Sequence, residues 1–128
     1  MFDKEEIPNN HTMKEVLLIK NNNTNLSTTV YFKKNAETII LLHGGPGVPD
    51  EMLEIVEILK ENYQIITFEQ RGVGNSNCNK CSFTMQDYTY DIDAIANHFD
   101  LKSFHLFGHS WGGLYAQIYA ASYGHFLS

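Results

Sequence analysis

The stretch Phe104-His-Leu-Phe-Gly-His-Ser-Trp-Gly-Gly113 decides the fold of this 128-residue chain. Its opening, Phe104 to Phe107, is a short apolar run read as a buried strand, and from Trp111 to about Tyr123 the pattern turns helical. Between the two lies Gly-x-Ser-x-Gly, as Gly108, Ser110 and Gly112. A serine on a sharp strand-to-helix turn is held in a strained backbone conformation with its hydroxyl above the sheet. The flanking glycines let strand and helix pass closely. The helix N-terminus adds unpaired N–H groups and the positive end of a dipole, so the amide of Trp111 is an expected oxyanion donor. A chance Gly/Ser turn is the competing reading, and the strand-turn-helix context weighs against it.

Working outward, the same alternation recurs. Val16 to Ile19 and Thr28 to Phe32 read as strands joined through the polar turn Asn21 to Asn25, a hairpin. Thr38 to Leu42 and Gln64 to Phe68 are apolar without alternation, as in strands buried on both faces of a parallel sheet. Asp50 to Glu61 is helical, with Asp50 as N-cap and Met52, Ile55, Val56 and Leu59 on one stripe. A second helix starts at Thr84, with Asp87 three residues on as a variant capping box. Its stripe is Met85, Tyr88, Ile92, Ile95 and Phe99. The order β-β-β-α-β-α-β-α predicts an α/β fold: an opening hairpin, then βαβαβα on a mostly parallel sheet, in one domain over residues 1–128. In such sheets functional residues gather at the carboxyl ends of the strands.

Two further segments fall at such ends. His43-Gly44-Gly45-Pro46-Gly47 follows the third strand. Glycine lets backbone N–H groups approach a ligand closely, and Pro46 has no N–H. Gly45 is therefore the leading second oxyanion donor and Gly44 the alternative. An ordinary Gly/Pro turn is the competing reading. Glu69-Gln70-Arg71-Gly72-Val73-Gly74-Asn75-Ser76 follows the fourth strand. A phosphate loop is set aside, because no helix opens directly after it and no third glycine is in register. Arg71 is expected to tie this loop to carboxylates or carbonyls, either shaping the site or serving the loop alone.

Composition bounds the partners. The chain carries 15 acidic against 9 basic residues and a net charge of −6, with no Lys/Arg stripe, which excludes nucleic acid as the main partner. No apolar run approaches the roughly 20 residues of a membrane span, and Met1 to Asn10 lacks the basic and apolar regions of a secretory leader. The expectation is a cytoplasmic protein without membrane contact. Cys78-Asn79-Lys80-Cys81 offers two zinc ligands where a structural site needs four. It reads as two incidental loop cysteines, with a redox pair before the second helix left open. His105 and His109 straddle a strand and a turn, so they are not a zinc pair. No metal or cofactor is expected.

Together, His43 to Gly47, Glu69 to Ser76 and Gly108 to Gly113 resemble the α/β-hydrolase superfamily, and within it the prolyl aminopeptidase (proline iminopeptidase) branch. Members of that branch carry HGGPG, DQRGxGxS and GxSxGG in this order and spacing. The resemblance covers most of residues 37–123. It implies Ser110 as nucleophile, an oxyanion hole from Gly45 and Trp111, and His43, Pro46, Gly47, Glu69, Gln70, Arg71, Gly108, His109 and Gly112 as shaping residues. The implied substrate is a short peptide with N-terminal proline, with small esters, lactones or other acyl substrates as the alternative. Glu69 stands where the pattern has Asp.

The family's triad acid and base follow the nucleophile. Here no Asp or Glu occurs after Asp100, and His125 is the one downstream histidine, at the far end of the helix that Ser110 begins. His43 and His109 lie on the correct edge but are not expected to serve as base. The cap domain is not covered by the resemblance either. The expectation is the N-terminal half of a hydrolase, a poor catalyst alone. The alternatives are a non-catalytic remnant or binding fragment, and a split enzyme completed by a second chain. A bare edge on the last strand would invite self-association.

Overall fold

The computed structural model describes residues 13–45, 50 and 52–127. Five strands form one sheet: β1 (Met13–Asn21), β2 (Thr24–Phe32), β3 (Thr38–Leu42), β4 (Gln64–Phe68) and β5 (His105–Gly108). Three helices alternate with them: α1 (Leu53–Leu59), α2 (Met85–His98) and α3 (Trp111–Tyr123). The strand order is β1-β2-β4-β3-β5. β3 pairs parallel with both β4 and β5, while β2 runs antiparallel to β1 and to β4. The predicted hairpin and the parallel βαβαβα part are therefore both present.

The continuous apolar runs have a physical cause. Alternate residues of β3 and β4 feed two cores on opposite sheet faces. Ile39, Leu41 and Ile65 pack with Met52 and Val56 of the α1 segment. Ile40, Leu42, Ile66 and Phe68 join Ile19, Leu26 and Val30 of the hairpin, Tyr88, Ile92 and Ile95 of α2, and Tyr115 and Tyr119 of α3. Both predicted helical stripes thus face the sheet. α2 starts on the full capping box, Thr84 accepting from the Asp87 amide and Asp87 accepting from the Thr84 amide.

Three boundaries differ from the sequence reading. The hairpin strands are nine residues each and close at Asn21↔Thr24, because polar residues next to the turn still pair through their backbones. Asp50 does not cap α1. Its Oδ1 accepts from the Met52 amide at 2.9 Å, a local turn, and the helix opens at Leu53 behind Met52, whose φ is 54°. The last strand begins at His105, and Phe104 instead bridges in parallel to Leu127, just past α3. β5 is an edge strand, with Phe107 40% exposed. Among the described residues no helix is long and apolar enough to cross a membrane.

Candidate active site at the carboxyl end of the sheet

β5 ends at Gly108 and α3 begins at Trp111, so only His109 and Ser110 make the turn. Ser110 has φ 55° and ψ −114°, a conformation that costs a non-glycine residue of order 1–3 kcal/mol. It occupies the N-cap position of α3, where a serine ordinarily bonds back to the helix amides. Here its side chain makes no cap hydrogen bond and Ser110 is exposed. The strained backbone thus turns the hydroxyl away from its usual structural use. Trp111, as the first helical residue, has an N–H with no carbonyl in its own helix to donate to.

The glycines allow the close approach. A Cβ on Gly108 would lie 2.5 Å from the Gly112 carbonyl oxygen and 2.6 Å from Gly113 Cα. One on Gly112 would collide with the Leu42 carbonyl and lie 2.8 Å from that of His43. The His109 amide donates to the Leu42 carbonyl at 3.1 Å, pinning the turn to the end of β3.

The loop after β3 rests on this turn. A Cβ on Gly44 would sit 3.3 Å from His109 Nδ1 and 3.7 Å from Ser110 Cβ. Gly45 follows with φ 139°, open to glycine and strained for other residues. Pro46 and Gly47 lie outside the described residues. His43 is 1% exposed and structural. Its Nδ1 donates to the Gly44 carbonyl at 2.5 Å and its Nε2 accepts from the Gln70 amide at 3.1 Å. Gln70 Nε2 donates to the His43 carbonyl at 2.8 Å, and Gln70 Oε1 accepts from the Trp111 indole at 3.1 Å. Tyr88 meets the Trp111 ring edge-on at 5.5 Å.

Not every residue of the three motifs reaches this corner. Arg71 is buried, but it donates from Nε and Nη2 to the two oxygens of Asp91, both at 2.8 Å, and from Nη1 to the Ser82 carbonyl. The bond to Asp91 raises the Arg71 pKa above its ordinary value. Asp91 also accepts from Asn21 Nδ2 at 2.8 Å. Asp87, near this cluster, is held down at about 2, chiefly by the Ser82 hydroxyl and then by Thr84. Arg71 therefore ties the loop to α2 and the hairpin. Glu69 folds its carboxylate over Gly74, accepting from the Asn75 amide at 3.4 Å. Cys78 and Cys81, read as incidental, are joined to each other as a disulfide.

Sequence reasoning missed two features. Asp91 lies on the buried stripe of α2, three residues after Tyr88 and four before Ile95, and an acid there signals a buried cation partner. A cavity of about 550 Å³ next to the turn is lined by His109 together with Asp50, Met52, Leu53, Glu54 and Ile55, so the α1 segment borders the site as well as the core. Among the described residues no cluster of three or more His, Cys, Asp or Glu is arranged to hold a metal.

Known proteins resemble this chain in sequence and in fold. The proline iminopeptidase of Lactobacillus helveticus is 34% identical over 90 residues, covering 66% of this chain and 31% of that protein. The chain thus matches about a third of the length of such relatives. Among solved structures, a proline iminopeptidase-related protein of Thermus thermophilus superposes with a TM-score of 0.80 at 22% identity, over 88% of this chain and 42% of that one. Epoxide hydrolase A of Mycobacterium thermoresistibile gives 0.81 at 19%, over 90% and 37%. At these identities the superpositions speak for the fold. The strand order, the strained serine and the match of residues 37–128 to the alpha/beta hydrolase fold agree, and the chain belongs to that family.

Proposed function

We propose that this chain is the nucleophile-bearing part of a serine hydrolase acting on short peptides with N-terminal proline. The observation that carries the reading is Ser110 itself, exposed and uncapped at φ 55°, with the Gly44 loop packed against it. Ser110 Oγ would attack the substrate carbonyl, and its proton would pass to a base and then to the leaving amine. The tetrahedral oxyanion would sit between the amides of Gly45 and Trp111, and water would release the acyl group. The likeness to proline iminopeptidases supports the choice of substrate. A cytoplasmic location and the absence of any cofactor belong to the same reading.

The base and acid are the remaining requirement. Both ring nitrogens of His43 are engaged. His125 lies past the end of α3, a 13-residue helix roughly 20 Å long, whereas a base must come within about 3 Å. We propose that these groups come from hydrolase segments outside these 128 residues, and that the 128-residue chain alone turns over little substrate. The free edge of β5 would then be where further strands, or a second copy in their absence, pair with the sheet.

The test treats the purified chain with the p-nitrophenyl esters of proline and of acetate, and separately with proline p-nitroanilide. The expected result is a covalent adduct on Ser110, formed faster by the prolyl ester and absent in Ser110→Ala, with no sustained anilide turnover. Acetyl transfer as fast as prolyl transfer would favour a small-acyl esterase. An adduct formed equally well in Ser110→Ala would sink the nucleophile assignment. Sustained anilide turnover abolished by Ser110→Ala would refute the claim of inactivity alone.

A further inference from the structure

Two backbone segments must hold a fixed separation for an oxyanion hole to work, since the donors have to lie about 2.7–3.1 Å from one oxygen. In this chain they come from different parts of the sequence, the loop after β3 and the first turn of α3. One side chain spans both. Gln70 is 1% exposed, and its primary amide is neutral, with donors and an acceptor at separate atoms. Its donor end holds the His43 carbonyl at 2.8 Å, and its acceptor end holds the Trp111 indole at 3.1 Å. Its own backbone amide fixes the His43 ring, whose other nitrogen holds the Gly44 carbonyl. Loop, β4 exit and helix start are thus joined through one residue.

We propose that Gln70 is the positioning residue of the site, setting the spacing between the Gly45 and Trp111 amides by clamping the loop after β3 to the indole of Trp111. This rests on the reading of Ser110 as nucleophile. Gln70 hydrogen-bonds to His43 and Trp111. It acts through the backbone segments it joins. Replacement by Glu keeps the acceptor for the indole and removes the donor for the His43 carbonyl, while Leu removes both. The two variants therefore separate the two ends of the clamp.

The experiment compares the full chain with Gln70→Glu and Gln70→Leu by two readouts. The first is hydrogen exchange of the Trp111 indole, which gives a single signal because the chain has 1 Trp, together with the position-70 backbone amide, which donates to His43 Nε2. The second is phosphonylation of Ser110 by a fluorophosphonate, in which the Oγ–P bond forms, fluoride leaves and the hydroxyl proton passes to solvent. Gln70→Leu is expected to speed indole exchange about tenfold, the effect of one lost hydrogen bond. It is also expected to slow the limiting phosphonylation rate by about tenfold or more, with half-saturation within about twofold. Gln70→Glu is expected to keep the indole protected, speed exchange of the position-70 backbone amide as the His43 loop loosens, and lose rate in the same way. Rates and exchange within twofold of the unaltered chain in both variants would overturn the proposal, as would equal exchange changes at both ends in Gln70→Glu. Labelling that persists in Ser110→Ala would remove the nucleophile reading, and the exchange data would still decide the clamp. Should Gln70→Leu fail to fold, Gln70→Glu alone decides.

Discussion

Gln70 and Arg71 are neighbours in the chain, both buried, and their side chains leave the end of β4 for different corners. Gln70 makes neutral hydrogen bonds to a strained, glycine-lined turn whose serine is exposed. Arg71 makes a two-pronged ion pair with Asp91 in a corner that holds the loop, α2 and the hairpin together. The first corner carries backbone strain and leaves the Ser110 side chain without a cap bond. The second satisfies its charges among protein groups. One motif thus serves both purposes, and the position of a residue within it does not reveal which.

The largest expected effect comes from breaking the scaffold corner. Asp91→Ala leaves a buried guanidinium without its partner and should cost about 3–5 kcal/mol in chemical denaturation. A loss under about 1 kcal/mol would mean that Arg71 finds another carboxylate, with Asp87, 3.9 Å away, the nearest candidate. Next is Gly112→Ala, which drives a Cβ into the Leu42 carbonyl and the end of β3. Backbone cannot yield as a flexible side chain does, so a loss of about 1–3 kcal/mol is expected on the same measurement.

The strained corner should respond in the opposite direction. Ser110→Gly relieves the φ of 55° and is expected to raise stability by about 1 kcal/mol while removing all labelling of that position. Unchanged or lowered stability would show that the turn is not strained. The smallest effect is Asp87→Ala, which removes the capping box of α2 and should cost about 1 kcal/mol at pH 7. Because the folded Asp87 pKa is lowered to about 2 from an ordinary 3.8, its contribution is fully present above about pH 4 and lost as pH falls toward 2. The gap between variant and parent should close across that window.

These contrasts also show what was legible in the sequence. The turn at Ser110 was, because Gly-x-Ser-x-Gly between an apolar run and a helical stripe fits few other structures. The capping box of α2 was, because its chemistry is local. The start of α1 was not: Asp50 has the right side chain for a cap, yet it accepts from the Met52 amide, ahead of the helix that opens at Leu53. The extent of the hairpin was missed because backbone pairing continues through Thr24, Asn25 and Lys20, where side-chain pattern is silent. Asp91 was hidden by its charge, since a polar residue on an apolar stripe reads as an interruption until its partner 20 residues earlier is placed beside it. The motifs name His43, Gln70 and Trp111 as residues of the site, but the bonds that join them link segments far apart in the chain, and no single segment announces those.

If Ser110 is the nucleophile, two amides converge where its tetrahedral oxygen would lie. A crystal structure of the Ser110 phosphonyl adduct tests it most directly. The phosphonyl oxygen is expected within about 2.7–3.1 Å of both the Gly45 and Trp111 nitrogens. An adduct whose oxygen points to solvent, or meets neither amide, would contradict it.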